Sequence, residues 1–223
     1  MRKNFVLNYL VKLGVLYDRI KNLPLFIRWS FLEKINPFKE KKLFIVGLSK
    51  TGTTSLHDAL RLLGIKSIHY PQFYYLDASK NNLKFKWHWK FERSRAFADI
   101  PVVAFLDELI RRYPNAYVIY TSRDKGKWLE SCRKHFQELA INPVGEALRL
   151  KVYGVSKFDF NLFSERYDKH SKMILERFKD HPNFIEIKLE QKDKWGPLCT
   201  FLDIPAPKED YPHSNMYTGS LEN

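Results

Sequence analysis

The feature that most constrains this chain is the run Gly47-Leu48-Ser49-Lys50-Thr51-Gly52-Thr53-Thr54, set between an apolar stretch and an amphipathic one. Before it, Leu43-Phe44-Ile45-Val46 is uninterrupted and apolar, as a strand buried on both faces requires. After it, Leu56, Ala59, Leu60 and Leu63 recur at helical spacing and the pattern stops at Gly64. Strand, loop, helix and glycine stop make a βα unit. A loop rich in Gly and Thr at that place exposes several backbone N–H groups at the positive end of a helix, and its hydroxyls add donors. The loop is therefore predicted to cradle a phosphate-like anion.

The remainder of the chain continues the alternation. Residues 65–70 read as a short strand ending at Pro71, 102–112 as a helix before Pro114, 116–121 as a β-rich run and 127–139 as a helix. Residues 141–160 fit no single pattern; 162–179 read as a helix, 184–189 as a strand and 197–202 as the start of a short helix. The tail after Ile204, with Pro205, Pro207 and Pro212, reads as surface coil. Strands alternating with helices predict an α/β fold, three layers around a central parallel sheet in the P-loop NTPase-like manner. At 223 residues there is room for one such domain, over 43–223, preceded by a basic helical extension over 1–42.

That extension mixes Phe5, Leu7, Leu10 and Val11 with Arg2, Lys3, Lys12 and Arg19, and Pro24 splits it into two helices. Two readings stand side by side: an amphipathic surface lying on an anionic membrane, or helices packed on the domain with solvated basic faces. The whole chain carries 38 Lys and Arg against 25 Asp and Glu, a net +13. Such a charge favours anionic partners such as nucleotides, acidic glycans or phospholipid surfaces, with nucleic acid disfavoured here. Cys132 and Cys199 stand alone, so neither a disulfide framework nor a zinc site is indicated and a reducing compartment is expected. Lys12 interrupts the N-terminal apolar run too early for a signal peptide. No apolar stretch approaches the roughly 20 residues of a spanning helix. A cytoplasmic protein, peripheral at the inner membrane face if 1–42 binds lipid, is the expectation; the sequence carries no sign of an oligomeric state.

The position of the lysine narrows the chemistry. The spacing approaches the Walker A pattern, but Thr53 stands where that pattern requires lysine, and Lys50 comes earlier in the loop. This argues against a P-loop kinase or nucleoside triphosphatase, which needs its lysine on the terminal phosphates. An early lysine can instead approach the bridging oxygen of a leaving phosphate. Lys50-Thr51-Gly52-Thr53-Thr54 resembles the K-[ST]-G-T-T loop of sulfotransferases that use 3′-phosphoadenosine-5′-phosphosulfate (PAPS). Arg123, delivered by the strand before it, and Ser131, seven intervening residues later on a helix, resemble the pair by which those enzymes hold the 3′-phosphate. Trp195-Gly196-Pro197-Leu198-Cys199 with Phe201-Leu202, and then Pro212-His213-Ser214-Asn215, are similar to the C-terminal segment of one branch of these proteins.

The resemblance covers about residues 43–215. It implies PAPS as donor, with adenosine 3′,5′-bisphosphate (PAP) as product. It implies also that Ser49, Lys50, Thr51, Gly52, Thr53, Thr54, Arg123 and Ser131 bind the donor, and that Lys50 serves catalysis. No metal is required by that scheme. Two departures stand out: Ser49 replaces the proline usual before the loop lysine, and the late Arg-Lys-Gly nucleotide loop of the cytosolic enzymes is missing.

Sulfuryl transfer to a hydroxyl also needs a base within hydrogen-bond reach of that oxygen. His69, at the end of the second predicted strand, and Asp99, just before a predicted helix, both qualify. Phe85, Trp87, Trp89 and Phe91 alternate with Lys84, Lys86, His88 and Lys90, which gives either an aromatic acceptor groove or a half-buried strand or helix with its aromatic side in the core. The acceptor, whether glycan, lipid or small alcohol, is left open. So is a noncatalytic polyanion- or membrane-binding role for the same fold.

Overall fold

The computed structural model describes residues 41–77, 82–137 and 142–214. The extension over 1–42 lies outside the described residues up to position 40, and so do Leu139 and Asn215.

The apolar run after Lys42 forms β1 (Leu43–Ile45), and its successive side chains enter different cores because a strand alternates faces. Phe44 and Val46 join one cluster with Phe97, Val118, Tyr120 and Trp128. Leu43 and Ile45 join the other, with Leu56, Leu60, Ile119, Ile187 and Leu198. Burial on both faces is what the uninterrupted run demands.

Around β1 the sheet grows in both directions. Helix α1 (Thr53–Leu62) leads to β2 (Ser67–His69), and Gly64, at φ 75, turns the chain between them. A hairpin follows, β3 (Tyr74–Asp77) antiparallel to β4 (Asn82–Phe85). Next come β5 (Ala96–Ala98), α2 (Ile100–Ala104), α3 (Leu106–Arg112), β6 (Tyr117–Ser122) and α4 (Lys125–His135). The chain ends in α5 (Pro143–Tyr153), α6 (Phe160–Phe178), β7 (Phe184–Lys188) and α7 (Trp195–Leu202). Five strands pair in the order β2-β5-β1-β6-β7, all parallel. Helices on both faces complete the three-layer, P-loop NTPase-like α/β architecture. The chain leaves β1 toward β2 on one side and later returns to β6 on the other, so the order switches at β1. Ligands of open α/β sheets bind outside the strand C-termini at such a point.

Several sequence expectations shift. The helix expected over 102–112 is two: Phe105, at φ −127, leaves helical backbone and separates α2 from α3. Strand β5 and the β3–β4 hairpin were not anticipated, β5 because three residues carry no readable period. Residues 141–160 resolve into α5, with Asn142 capping, Pro143 in the first turn and Gly154 at φ 81 ending it. The alternating rings do not form an aromatic acceptor groove. The strand ends at Phe85 and a short 3-10 turn takes over at Trp89–Phe91. Phe85, Trp87 and Phe91 pack around Phe73, whereas Trp89 is 65% exposed.

Beneath the sheet, at the end away from the strand C-termini, Lys42 is 5% exposed. Its ammonium donates to the carbonyls of Phe91, Glu92 and Ser94 at 3.1, 3.0 and 2.9 Å. Burial lowers its pKa to about 8, opposed by the charge of Glu92. Three carbonyls saturate the three N–H bonds, which fastens the turn before β5 to the start of β1.

Candidate active site

Residues 46–52 leave β1 under tight control. At Gly47 a Cβ would sit 1.8 Å from Thr121 Oγ1 and 2.6 Å from the Thr121 carbonyl, so only glycine lets β6 lie this close. The Thr51 hydroxyl donates to the Leu48 carbonyl at 2.7 Å and lies 2.8 Å from Thr121 Oγ1. Ser49 is engaged at three atoms. Its N–H donates to Tyr153 Oη at 3.2 Å, its carbonyl accepts from Trp128 Nε1 at 2.9 Å, and its hydroxyl donates to Asp99 Oδ1 at 2.8 Å. The side chains of Ser49 and Thr51 thus face inward and shape the loop. Lys50 adopts the left-handed region at φ 70, and Gly52 follows at φ 95 with Leu189 Cδ1 2.8 Å from where a Cβ would stand.

Helix α1 then starts at Gly52 with no side-chain cap. Asp99, Asp124, Asn142 and Asp159 cap α2, α4, α5 and α6. The first amides of α1 have no intrahelical acceptor, and they open on a cavity of about 730 Å³. Lys50, Gly52, Thr53 and Thr54 line it on one side, Arg123, Lys127 and Ser131 on another, and His69 with Asp99 on a third. Arg123 Nη1 donates to the Lys50 carbonyl at 3.2 Å, and Tyr167 Oη donates to the Arg123 carbonyl. Arg123 Nε is buried without a hydrogen-bond partner among the described residues; its nearest carboxylate oxygen, Glu190 Oε1, is 3.9 Å away.

The two base candidates, 30 positions apart in the chain, meet because β2 and β5 are neighbours with His69 paired to Ala98. His69 Nε2 lies 3.5 Å from Asp99 Oδ2 and 3.3 Å from both Thr53 Oγ1 and Thr54 Oγ1. Asp99 Oδ1 accepts from the Ser49 hydroxyl and from the Ile100 N–H, both at 2.8 Å, so Oδ2 is the oxygen turned toward His69. The Asp99 backbone, at φ 82 and ψ 179, occupies a region essentially reserved for glycine. A strained, 8% exposed carboxylate is the kind of departure that functional sites retain.

Burial shifts neighbouring titratable groups toward their neutral forms. Burial lowers the pKa of His57 to about 4, where it shares a hydrogen bond with Ser67 Oγ at 2.8 Å, and its ring lies 5.7 Å from that of His69. Burial, with the charges of Lys50 and Arg149, also lowers His135 at the far end of α4. Burial pushes the Cys132 thiol up, which leaves it unreactive behind the loop.

All of the sequence-derived site residues except Thr51 line this one cavity, and Thr51 lies just behind it. Tyr153, Trp128 and Leu189 were missed. Each is an apolar or aromatic side chain whose contact with the loop depends on the fold rather than on a local motif.

The model of a family described as "Sulfotransferase domain" matches residues 42–219. The chain is similar to "Ava biosynthesis cluster protein M" of Aspergillus versicolor, 28% identical in an alignment that covers 81% of this chain and 83% of that protein.

Proposed function

The chain belongs to the sulfotransferase domain family, and from that premise we propose that it transfers the sulfuryl group of PAPS to a hydroxyl acceptor, a glycan, a lipid or a small alcohol. The observation that carries this reading is the uncapped start of α1 beside Lys50, opposite Arg123 and Ser131 and adjoining the His69–Asp99 pair in one cavity. The residues suit a donor with two anionic ends. The first-turn amides of α1 and the Lys50 ammonium fit the 5′-phosphosulfate. Arg123, whose Nε has no hydrogen-bond partner among the described residues, and the Ser131 hydroxyl fit the 3′-phosphate.

Bound there, the phosphosulfate supplies an activated sulfuryl group whose bond to the bridging phosphate oxygen breaks as the acceptor oxygen bonds to sulfur. Lys50 offsets the charge that grows on the bridging oxygen. The His69–Asp99 pair takes the acceptor's hydroxyl proton. Asp99 Oδ2, 3.5 Å from His69 Nε2, balances the imidazolium that forms. The loop's inward bonds through Ser49 and Thr51 hold these donors in place before the donor arrives.

The same fold also serves kinases and triphosphatases, so a nucleotide comparison is the test. PAP is expected to raise the melting temperature, by mass action on the folded state, and to do so without magnesium. Protection by magnesium-ATP with turnover, and none by PAP, would move the chain to the triphosphatase reading. Salt-sensitive polyanion binding with neither nucleotide bound would make it a noncatalytic module.

A further inference from the structure

The chain lacks the late Arg-Lys-Gly loop, yet a further segment lines part of the cavity. It comes from the end of the described chain. Trp195 Nε1 donates to the Glu209 carbonyl at 2.8 Å, and the Trp195 and Tyr211 rings meet edge to face at 5.0 Å. Three residues on, the Ser214 N–H donates to Ser55 Oγ at 3.1 Å and its hydroxyl donates to Asp58 Oδ2 at 2.5 Å. Residues 209–214 are thus tied at one end to α7 and at the other to α1, the helix of the anion loop itself. His213, between the two ties, is exposed and lines the cavity with Ser214, Ser55 and Leu189.

The lining is otherwise ill suited to a nucleobase. Most of the residues that form it are polar or charged, and Leu189 is the sole aliphatic member among them. Leu189 lies over Gly52. Three imidazoles line the cavity, His69, His135 and His213. His69 is engaged with Thr53, Thr54 and Asp99, and His135 stands in the field of Lys50 and Arg149. A purine attached to a ribose whose phosphates sit at Lys50 and at Arg123 needs a flat or apolar surface near both. Among the lining residues, Leu189 is aliphatic and the exposed His213 offers a flat ring.

Resting on the donor reading above, we propose that residues 209–214 form the nucleobase wall of the donor site. His213 stacks on the adenine opposite Leu189, and Ser214 fixes the wall to α1. The segment thereby replaces the missing loop by a different part of the chain, and it makes the site prefer a purine.

Isothermal titration of the full chain with PAP and with cytidine 3′,5′-bisphosphate tests this, since the two probes share both phosphates and differ in the base. The wild-type protein is expected to prefer the purine by about tenfold, the scale of stacking on a ring. His213→Ala should bring the two affinities to within about threefold, chiefly by weakening PAP, and His213→Phe should restore the preference. His213 is exposed, so an unchanged melting temperature accompanies both variants. Wild-type binding of PAP with the full purine preference surviving in His213→Ala would overturn the wall and leave the donor reading intact. Wild-type protein that binds neither bisphosphate would overturn the donor reading and the wall with it.

Discussion

Helices α1 and α4 leave the C-terminal ends of adjacent parallel strands and both face the same cavity, yet they begin differently. At α4, Asp124 Oδ1 accepts from the Lys127 N–H at 2.9 Å, so the positive end of the helix already has a carboxylate. At α1 the capping position is Gly52, no side chain accepts, and Lys50 stands beside it. Topology gives both helices the place of an anion site. What sets α1 apart is that its capping position is a glycine, with no side chain to accept from the first turn. Helix α4 presents side chains to the cavity instead, Arg123 just before it and Ser131 within it.

The contrast can be tested by attacking each side. The largest effect is expected for Lys50→Ala, a loss of about a hundred- to a thousandfold in transfer rate with the melting temperature kept, because a preorganised charge on the leaving oxygen is removed. Comparable activity in that variant would break the assignment of α1 as the reacting end.

Acid comes next, and it acts on the α1 side. Burial lowers His57, on α1, from the ordinary 6.5 to about 4, and lowers His170, whose Nε2 donates to the Val46 carbonyl at 2.7 Å, to about 4 as well. The unfolded chain takes up these protons first. Stability is therefore full above pH 6.5 and falls as the pH drops toward 4, by roughly 2 to 3 kcal/mol for each histidine. Urea midpoints at neutral and acid pH measure the fall, and His57→Gln should reduce it; a midpoint flat across that window would contradict the burial argument.

On the α4 side, Arg123→Ala is expected to weaken PAP binding by about ten- to a hundredfold, the value of a charged hydrogen-bonded contact. Calorimetry reads this directly. The smallest effect belongs to the cap itself. Asp124→Ala should cost about 1 kcal/mol of stability, visible as a small drop in melting temperature, while transfer changes little. A collapse of transfer in Asp124→Ala would mean that α4's terminus matters as α1's does.

These differences were unequally legible in the sequence. The α1 side is local: strand, loop, lysine and helix are contiguous, so periodicity and one motif sufficed. Arg123 and Ser131 were legible for the same reason, because a strand and its following helix are adjacent in the chain. The pairing of His69 with Asp99 was not, since it depends on β5 inserting between β1 and β2, and Ala96-Phe97-Ala98 is too short to announce a strand. The inward turn of Ser49 and Thr51 was hidden too. A hydroxyl in a loop looks alike whether it meets a ligand, a neighbouring carboxylate as at Ser49, or the backbone behind it as at Thr51. Ser214 on α1 joins residues 156 positions apart, which no local pattern encodes.

The most direct measurement is transfer of label from sulfur-labelled PAPS to a panel of glycan, lipid and small-alcohol acceptors, with PAP followed as co-product. Wild-type protein is expected to form a labelled sulfate ester with one PAP per ester, and Lys50→Ala to form both about a hundred- to a thousandfold more slowly. Magnesium-dependent hydrolysis of ATP with no labelled ester on any acceptor would contradict the sulfuryl-transfer reading.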